Sequence, residues 1–305
     1  MKILVATEKP FAKVAVDGIR QIVEAAGCEL TLLEKYTDVS QLYDAVADAD
    51  GLIVRSDKVT AEVVAHASKL KIVVRAGAGY DNLDLEACSA KGIVAMNTPG
   101  QNSNAVAELA LGMMLFMARN HFQPGTGTEL KGKTLGIQAY GNVGRLVAQL
   151  AKGFGMDVLA FDPFVPVDKM VAEGVTPITD LKELYRRSNY LSLHIPANEQ
   201  TKKSINYDLL SMMPKGACLV NTARKEVIHE EDLMRVMEER PDFKYVSDIA
   251  PDSLAALQEK FGTRVFATAK KMGAETAEAN VNAGLAAANQ VVGFLKEGVD
   301  RFRVN

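Results

Sequence analysis

The chain has 305 residues, 48% of them hydrophobic and 24% charged, and a prior of about 150 residues per domain points to two domains. That composition excludes a disordered chain, and a net charge of −3 from 35 Lys+Arg and 38 Asp+Glu gives no basic field for nucleic acid or an anionic membrane. No apolar run, including Leu109–Ala118, approaches the roughly 20 residues that span a bilayer. The first residues, Met1-Lys2-Ile3-Leu4-Val5, run into a Glu-Lys-Pro turn and read as a strand rather than a signal peptide. Cys28, Cys88 and Cys218 are scattered without CxxC spacing, which excludes a disulfide framework or zinc site and fits a reducing cytoplasm.

Short apolar runs alternate with amphipathic stretches from end to end. Lys2–Thr7, Leu30–Tyr36, Gly51–Arg55, Lys71–Val74 and Ile93–Asn97 read as strands, separated by helices over Ala12–Ala26, Val39–Ala47, Thr60–Ala67 and Leu83–Ala90. A long apolar helix is expected over Ser103–Asn120, capped by Asn102-Ser103, and a breaker-rich connection follows at 121–128. Further strands are expected at Thr134–Tyr140, Asp157–Asp162, Tyr190–Ile195, Ala217–Asn221, Tyr245–Ile249 and Val265–Thr268, before a second long helix over Ala274–Lys296. Strands alternating with helices of this length imply right-handed crossovers and parallel sheets. The expected fold class is therefore α/β, with two doubly wound, Rossmann-like domains.

Between the strand at Thr134 and the following helix lies Ala139-Tyr140-Gly141-Asn142-Val143-Gly144, a GxGxxG turn whose first glycine is alanine. Gly141 offers bare backbone to a pyrophosphate and Gly144 allows close helix–strand packing, whereas Ala139 is comfortable only at negative φ. The helix is expected to bury Val143, Val147, Leu150 and Phe154. Asp162 ends the next strand, 18 residues after Gly144, where a carboxylate meets the ribose hydroxyls of NAD. A ligand-free turn and a helix-capping Asp162 are the bland alternatives. No arginine follows closely to hold a 2′-phosphate, so NAD is expected rather than NADP.

Ligands of such sheets bind at the carboxyl ends of strands. Those ends carry Arg55-Ser56, Arg75 to Gly79, Asn97-Thr98, His194 to Pro196, Asn221 to Arg224, Asp248 and Lys270-Lys271. Arginine suits bidentate recognition of carboxylate or phosphate, and the backbone of Gly77-Ala78-Gly79 can present N–H groups to an anion.

The ordered set Val74-Arg-Ala-Gly-Ala-Gly-Tyr-Asp-Asn-Leu-Asp84, Asn104-Ala-Val-Ala-Glu108, Glu129-Leu-Lys-Gly-Lys-Thr-Leu-Gly-Ile137, His194-Ile-Pro196 with Thr201, and Asn221-Thr-Ala-Arg224 resembles the NAD-dependent D-2-hydroxyacid dehydrogenases over nearly the whole chain. The resemblance implies a discontinuous substrate-binding domain (1–97 and 281–305) around an NAD-binding domain (98–280). It implies cofactor contacts at Ala78, at Tyr140, Gly141, Asn142 and Val143, at Asp162, at His194, Ile195, Pro196 and Thr201, and at Thr222, Ala223 and Asp248. Substrate contacts are implied at Arg55, Ser56, Lys58, Gly77 and Asn102, with no metal.

The family's catalytic set is an Arg, a Glu and a His. Arg224 matches the Arg, which holds the substrate carboxylate and polarises the carbonyl. Ser253 stands near the expected Glu, and in Lys271-Met-Gly-Ala-Glu-Thr-Ala-Glu278 a lysine opens the pattern that the family begins with His. The two departures are mutually consistent. An imidazole of pKa about 6.5 needs a carboxylate to stay protonated near neutrality, whereas a lysine of about 10.4 does not. The resemblance therefore implies Lys271 as the acid/base, with Lys270 as the fallback and a carboxylate near Asp252 left open as a substitute for the Glu. Within the family the chain is most similar to members that oxidise 3-phosphoglycerate to 3-phosphohydroxypyruvate in the first step of serine synthesis. The rival expectations are a reductase of glyoxylate, hydroxypyruvate or another small 2-oxo acid, and a non-enzymatic NAD-sensing protein of the same fold. A small-molecule substrate, a homodimer and a cytoplasmic location complete the expectation.

Overall fold

The computed structural model describes all residues, Met1–Asn305. The chain divides into two compact units, Met1–Asn102 with Glu275–Asn305, and Ser103–Ala274. The first holds strands β1 (Lys2–Thr7), β2 (Glu29–Glu34), β3 (Gly51–Val54), β4 (Ile72–Arg75) and β5 (Val94–Asn97). They form one parallel sheet in the order β2-β1-β3-β4-β5. Alternation along β1 explains why the sheet is covered on both faces. Ile3 and Val5 enter one apolar cluster, and Leu4 and Ala6 enter the other.

One of those clusters is completed from the far end of the chain. The helix Ala277–Glu297 contributes Ala283, Ala287, Ala288 and Val291 to it. Its approach is close enough that a Cβ on Gly51 would lie 2.5 Å from Val291 Cγ1. The last residues then run antiparallel to β5. Met96 bridges Arg303, Val304 N–H donates to the Ala95 carbonyl at 2.9 Å, and Asn305 Oδ1 accepts from Ala95 N–H at 2.9 Å. An edge that would present unpaired backbone groups is thereby covered.

The second unit holds β6 (Thr134–Gln138), β7 (Asp157–Phe161), β8 (Thr176–Pro177), β9 (Tyr190–Leu193), β10 (Cys218–Asn221), β11 (Lys244–Ser247) and β12 (Val265–Ala267). All pair in parallel, in the order β12-β11-β10-β9-β6-β7-β8. Strand order reverses beside β1 in the first sheet and beside β6 in the second, and these are the switch points where doubly wound sheets bind ligands.

Three sequence expectations shift. The long helix spans Ser103–Ala118 rather than reaching residue 120, because Asn120, His121 and Phe122 adopt left-handed φ of 52°, 58° and 57°. Phe154 is exposed, since it lies past the last turn of the helix Asn142–Gly153, which buries Gly144, Val147, Ala148 and Ala151. The two-residue edge strand β8 is too short to show any periodicity.

Candidate active site

The turn after β6 is built around the end of β7. Ala139 N–H donates to the Phe161 carbonyl (2.9 Å) and Tyr140 N–H to Asp162 Oδ2 (2.8 Å). These bonds hold Ala139 at φ +78°, a left-handed conformation that costs an L-residue with a Cβ about 1–2 kcal/mol. A Cβ on Gly144 would stand 2.3 Å from the Ala139 carbonyl oxygen, so only glycine fits there. Gly141 is different, because a Cβ there would point into open space. The helix Asn142–Gly153 begins with no capping side chain and no acidic residue in its first turn, so its first N–H groups and dipole face outward as an anion site. With Asp162 at the end of β7, this donor set fits the pyrophosphate and ribose of a dinucleotide.

Asp162 caps no helix, since the next one begins at Val167; it makes a local turn, its Oδ1 accepting from Phe164 N–H at 2.8 Å. Tyr140 reaches the site through its backbone only; its ring is buried and its hydroxyl donates to Glu173 Oε2 at 2.9 Å. Asn142 and Val143 open the helix.

At the ends of β9 and β10 the polar groups are buried or half-buried and bonded to one another. His194 Nε2 lies 2.9 Å from Ser192 Oγ, and Nδ1 lies 3.4 Å from Thr222 Oγ1. Burial pushes the imidazole down to about 3, so it is neutral. Ile195 is buried and Pro196 exposed, while Thr201 Oγ1 donates to the Pro196 carbonyl and closes that loop. Asn221, fully buried, folds the loop that carries Arg224. Its Oδ1 accepts from Ala223 N–H and its Nδ2 donates to the Arg224 carbonyl, both at 3.0 Å.

Arg224 and Lys271 meet on a single peptide oxygen. Arg224 Nη1 donates to the Ala223 carbonyl at 3.0 Å, and Lys271 Nζ donates to the same oxygen. Asp248 stands behind the lysine. It is fully buried, its Oδ2 accepts from Gly273 N–H at 2.9 Å, and its Oδ1, which has no hydrogen bond, lies 3.6 Å from Lys271 Nζ. A Cβ on Gly273 would fall 2.7 Å from Asp248 Oδ2, so glycine is needed for this approach. Burial lowers the Lys271 ammonium below the ordinary lysine range. Asp248 opposes the shift, and the Arg224 guanidinium adds to it.

Lys270, by contrast, is exposed and contributes only its carbonyl, to Thr268 Oγ1. Nor does Asp252 approach Lys271, being paired with Lys225 at the surface. Ser253 is held by Glu230, its N–H donating to Oε2 at 2.8 Å. The carboxylate beside Lys271 is Asp248, which sequence reasoning placed only among the cofactor contacts. Nothing in the spacing to Lys271 signals it, because the helix Leu254–Phe261 and β12 intervene.

The first unit carries the remaining residues, those after β3 bordering its own switch point and the others following β4 and β5. Ser56 and Lys58 are exposed on the loop after β3. Asp57 between them is buried and accepts from Glu8 N–H (2.6 Å), Tyr36 Oη (2.9 Å) and Arg55 N–H (3.3 Å). Sequence reasoning missed this internal anchor. Arg55 turns inward, with Nη1 donating to the carbonyls of Lys9 (3.1 Å) and Pro10 (3.2 Å), Nη2 donating to Asn280 Oδ1 (2.6 Å), and the guanidinium over the Phe11 ring. After β4, Gly77 at φ +153° lets the Arg75 guanidinium lie against it. Ala78 is held through its carbonyl by Asn97 Nδ2 at 2.6 Å. Asn102 is half-buried at the end of the unit's first segment.

Comparison with known proteins bears on this arrangement. Residues 110–256 match the family described as D-isomer specific 2-hydroxyacid dehydrogenase, NAD binding domain. The chain is 36% identical over 276 residues to D-3-phosphoglycerate dehydrogenase of Methanocaldococcus jannaschii, covering 84% of this chain and 52% of that protein. It is 40% identical over 220 residues to hydroxypyruvate reductase of Thermotoga maritima, covering 67% of this chain and 70% of that one. Among solved structures it is similar to NAD+-bound 3-phosphoglycerate dehydrogenase of Entamoeba histolytica. The TM-score is 0.88 at 48% identity, covering 100% of this chain and 98% of the other. The chain spans about half the length of several curated relatives it matches. The loop after β6 lies in an NAD-binding domain.

Proposed function

Because the chain belongs to the D-isomer specific 2-hydroxyacid dehydrogenase family, we propose that it oxidises the 2-hydroxyl of 3-phosphoglycerate to give 3-phosphohydroxypyruvate. NAD, when bound, accepts the hydride leaving C2. Arg224 binds the substrate carboxylate and polarises the C2 oxygen, a task suited to a planar guanidinium. Lys271, as the free amine, takes the hydroxyl proton while the hydride departs, and as the ammonium it returns that proton in the reverse direction. Burial and Arg224 favour the free amine, and Asp248 keeps the ammonium accessible. The convergence of Arg224 Nη1 and Lys271 Nζ on the Ala223 carbonyl carries this reading. It sets a carboxylate ligand and a proton carrier side by side, as a 2-hydroxy acid requires.

Ser56 and Lys58 take the phosphate, with backbone N–H groups near Gly77. Arg55 acts beneath them as a brace, since its terminal nitrogens are engaged by Lys9, Pro10 and Asn280. The enzyme works as a homodimer in a reducing, cytoplasmic setting. Three buried free cysteines and a strongly exposed Phe122 beside the Phe116 ring support that part of the reading. No helix is long and apolar enough to cross a membrane.

The test is NADH formation with 3-phosphoglycerate, D-glycerate and D-lactate. Charge-assisted contacts to phosphate, at about 1.5–3 kcal/mol, should give the phosphorylated substrate roughly a tenfold to hundredfold advantage in kcat/KM. Equal use of the unphosphorylated acids overturns the substrate assignment. The inward turn of Arg55 favours a second reading, reduction of hydroxypyruvate or glyoxylate, which needs no phosphate site. A preference for those 2-oxo acids in the same panel would establish it.

A further inference from the structure

The turn that faces the cofactor is held from both sides by one carboxylate outside the motif. Glu173 follows the helix Val167–Ala172. Its Oε2 accepts from Tyr140 Oη at 2.9 Å and from Arg145 Nε at 3.0 Å, and its Oε1 accepts from Arg145 Nη2. Tyr140 lies immediately before Gly141. Arg145 lies in the first turn of the helix Asn142–Gly153, its N–H donating to the Gly141 carbonyl at 3.0 Å. The two residues therefore flank the open backbone of Gly141 to Gly144, and Glu173 joins them. Lys152 Nζ, from the last turn of the same helix, donates to the Glu173 carbonyl and fixes the residue itself.

The turn needs such a brace, because Ala139 sits at φ +78° where a glycine would rest without strain. A strained conformation persists only where its surroundings over-determine it. Without the brace, Ala139 relaxes toward negative φ, Tyr140 and Gly141 move with it, and the N–H groups at the start of the helix lose their aim.

We propose that Glu173 is a positioning residue for the dinucleotide. It clamps Tyr140 to Arg145 and so holds the strained Ala139 turn in the shape that receives the pyrophosphate. The clamp grips the Tyr140 hydroxyl and the Arg145 guanidinium, so its effect on the loop passes through the backbone of these two residues. Its charged neighbours are Arg145, Lys152 and Lys169, and Tyr140 is the neutral partner. With the carboxylate ionised, burial and Glu173 keep the Tyr140 phenol protonated and donating, while the Arg145 cation opposes them.

The inference rests on NAD binding at this loop, so the first measurement is NADH titration of the wild-type protein by fluorescence. No binding there would overturn the site itself rather than the clamp. Glu173→Gln keeps an acceptor for Tyr140 but loses the ion pair. It should weaken NADH about threefold to tenfold, with the loss falling on KM for NAD and not on kcat.

The decisive arm repeats the substitution in an Ala139→Gly background. A turn free of strain has less need of a brace, so the loss from Glu173→Gln should shrink below about twofold. An undiminished loss in that background overturns the proposal, and so does wild-type NADH affinity in Glu173→Gln. If Glu173→Gln fails to fold, Tyr140→Phe removes one arm of the clamp and keeps the ring. It should weaken NADH about twofold to threefold in the Ala139 background and have no measurable effect in the Ala139→Gly one. Equal effects in the two backgrounds sink the idea.

Discussion

The loop after β3, the neighbour of switch strand β1, and the loop after switch strand β6 both border a switch point, and they use their polar groups in opposite ways. In the first unit the loop is closed upon itself. Asp57 collects three donors, and Arg55 spends its terminal nitrogens on Lys9, Pro10 and Asn280. In the second unit the loop after β6 leaves Gly141 bare and the following helix start uncapped. A switch point is therefore only a location. Whether a charged residue there meets a ligand depends on whether its donors are already engaged, and that is visible only in three dimensions.

The sharpest way to break this contrast is at Lys271. Lys271→Ala should lower kcat by about 10²–10⁴, the usual contribution of a general acid/base, in both directions, whereas exposed Lys270→Ala should have little effect. Because the free amine is the base, the oxidation rate should rise with pH through the Lys271 pKa, and reduction should fall through the same value. That pKa should lie below the ordinary value of about 10.4, since burial lowers it. A pH profile unchanged in Lys271→Ala would move the proton to another group.

Arg224→Ala should cost about 10²–10³ in kcat/KM, as loss of one donor to a developing charge does, while NADH affinity by fluorescence stays near wild type. Near-normal turnover would remove Arg224 from the site.

Arg55→Ala sharpens the comparison from the closed side. Losing its bonds to the chain should cost about 1–3 kcal/mol of stability, read as a fall in denaturation midpoint. KM should change equally for phosphorylated and unphosphorylated substrates. A loss confined to the phosphorylated one would show that the guanidinium turns outward to the ligand.

The smallest effect belongs to Ala139→Gly. Relief of about 1–2 kcal/mol of left-handed strain is offset by the roughly 0.4–1 kcal/mol that glycine adds to unfolded-state entropy. A net gain of about 0.5 kcal/mol, a degree or two in Tm, is expected. A clear loss of Tm would mean that the alanine methyl's packing outweighs the strain.

Much of the fold was legible because the chain punctuates it. β-branched runs such as Ile72-Val73-Val74 stand between breakers, and the glycine turn falls between a strand and a helix. The ordered motifs placed Arg224 and Lys271 on strand-end loops, and the structure brings the two together. What stayed hidden depends on partners distant in sequence. Asn280 engages Arg55 across 225 positions, Glu173 reaches Tyr140 and Arg145 across 33 and 28, and Asp248 approaches Lys271 from another strand. Phe154 was misplaced for a local reason, since helical periodicity was extended one residue beyond the helix end.

The contribution of the helix Ala277–Glu297 to the first sheet has a consequence for the order of events during synthesis. Residues 1–102 leave the ribosome long before Ala283, Ala287 and Val291 exist, so one face of their sheet waits with its apolar residues uncovered. The segment Ser103–Ala274, which is continuous, can close its own core first. The N-terminal unit, begun first, is thus the last to be finished. Over that interval its open face is the part of the nascent chain most exposed to mispairing, and the most in need of a chaperone.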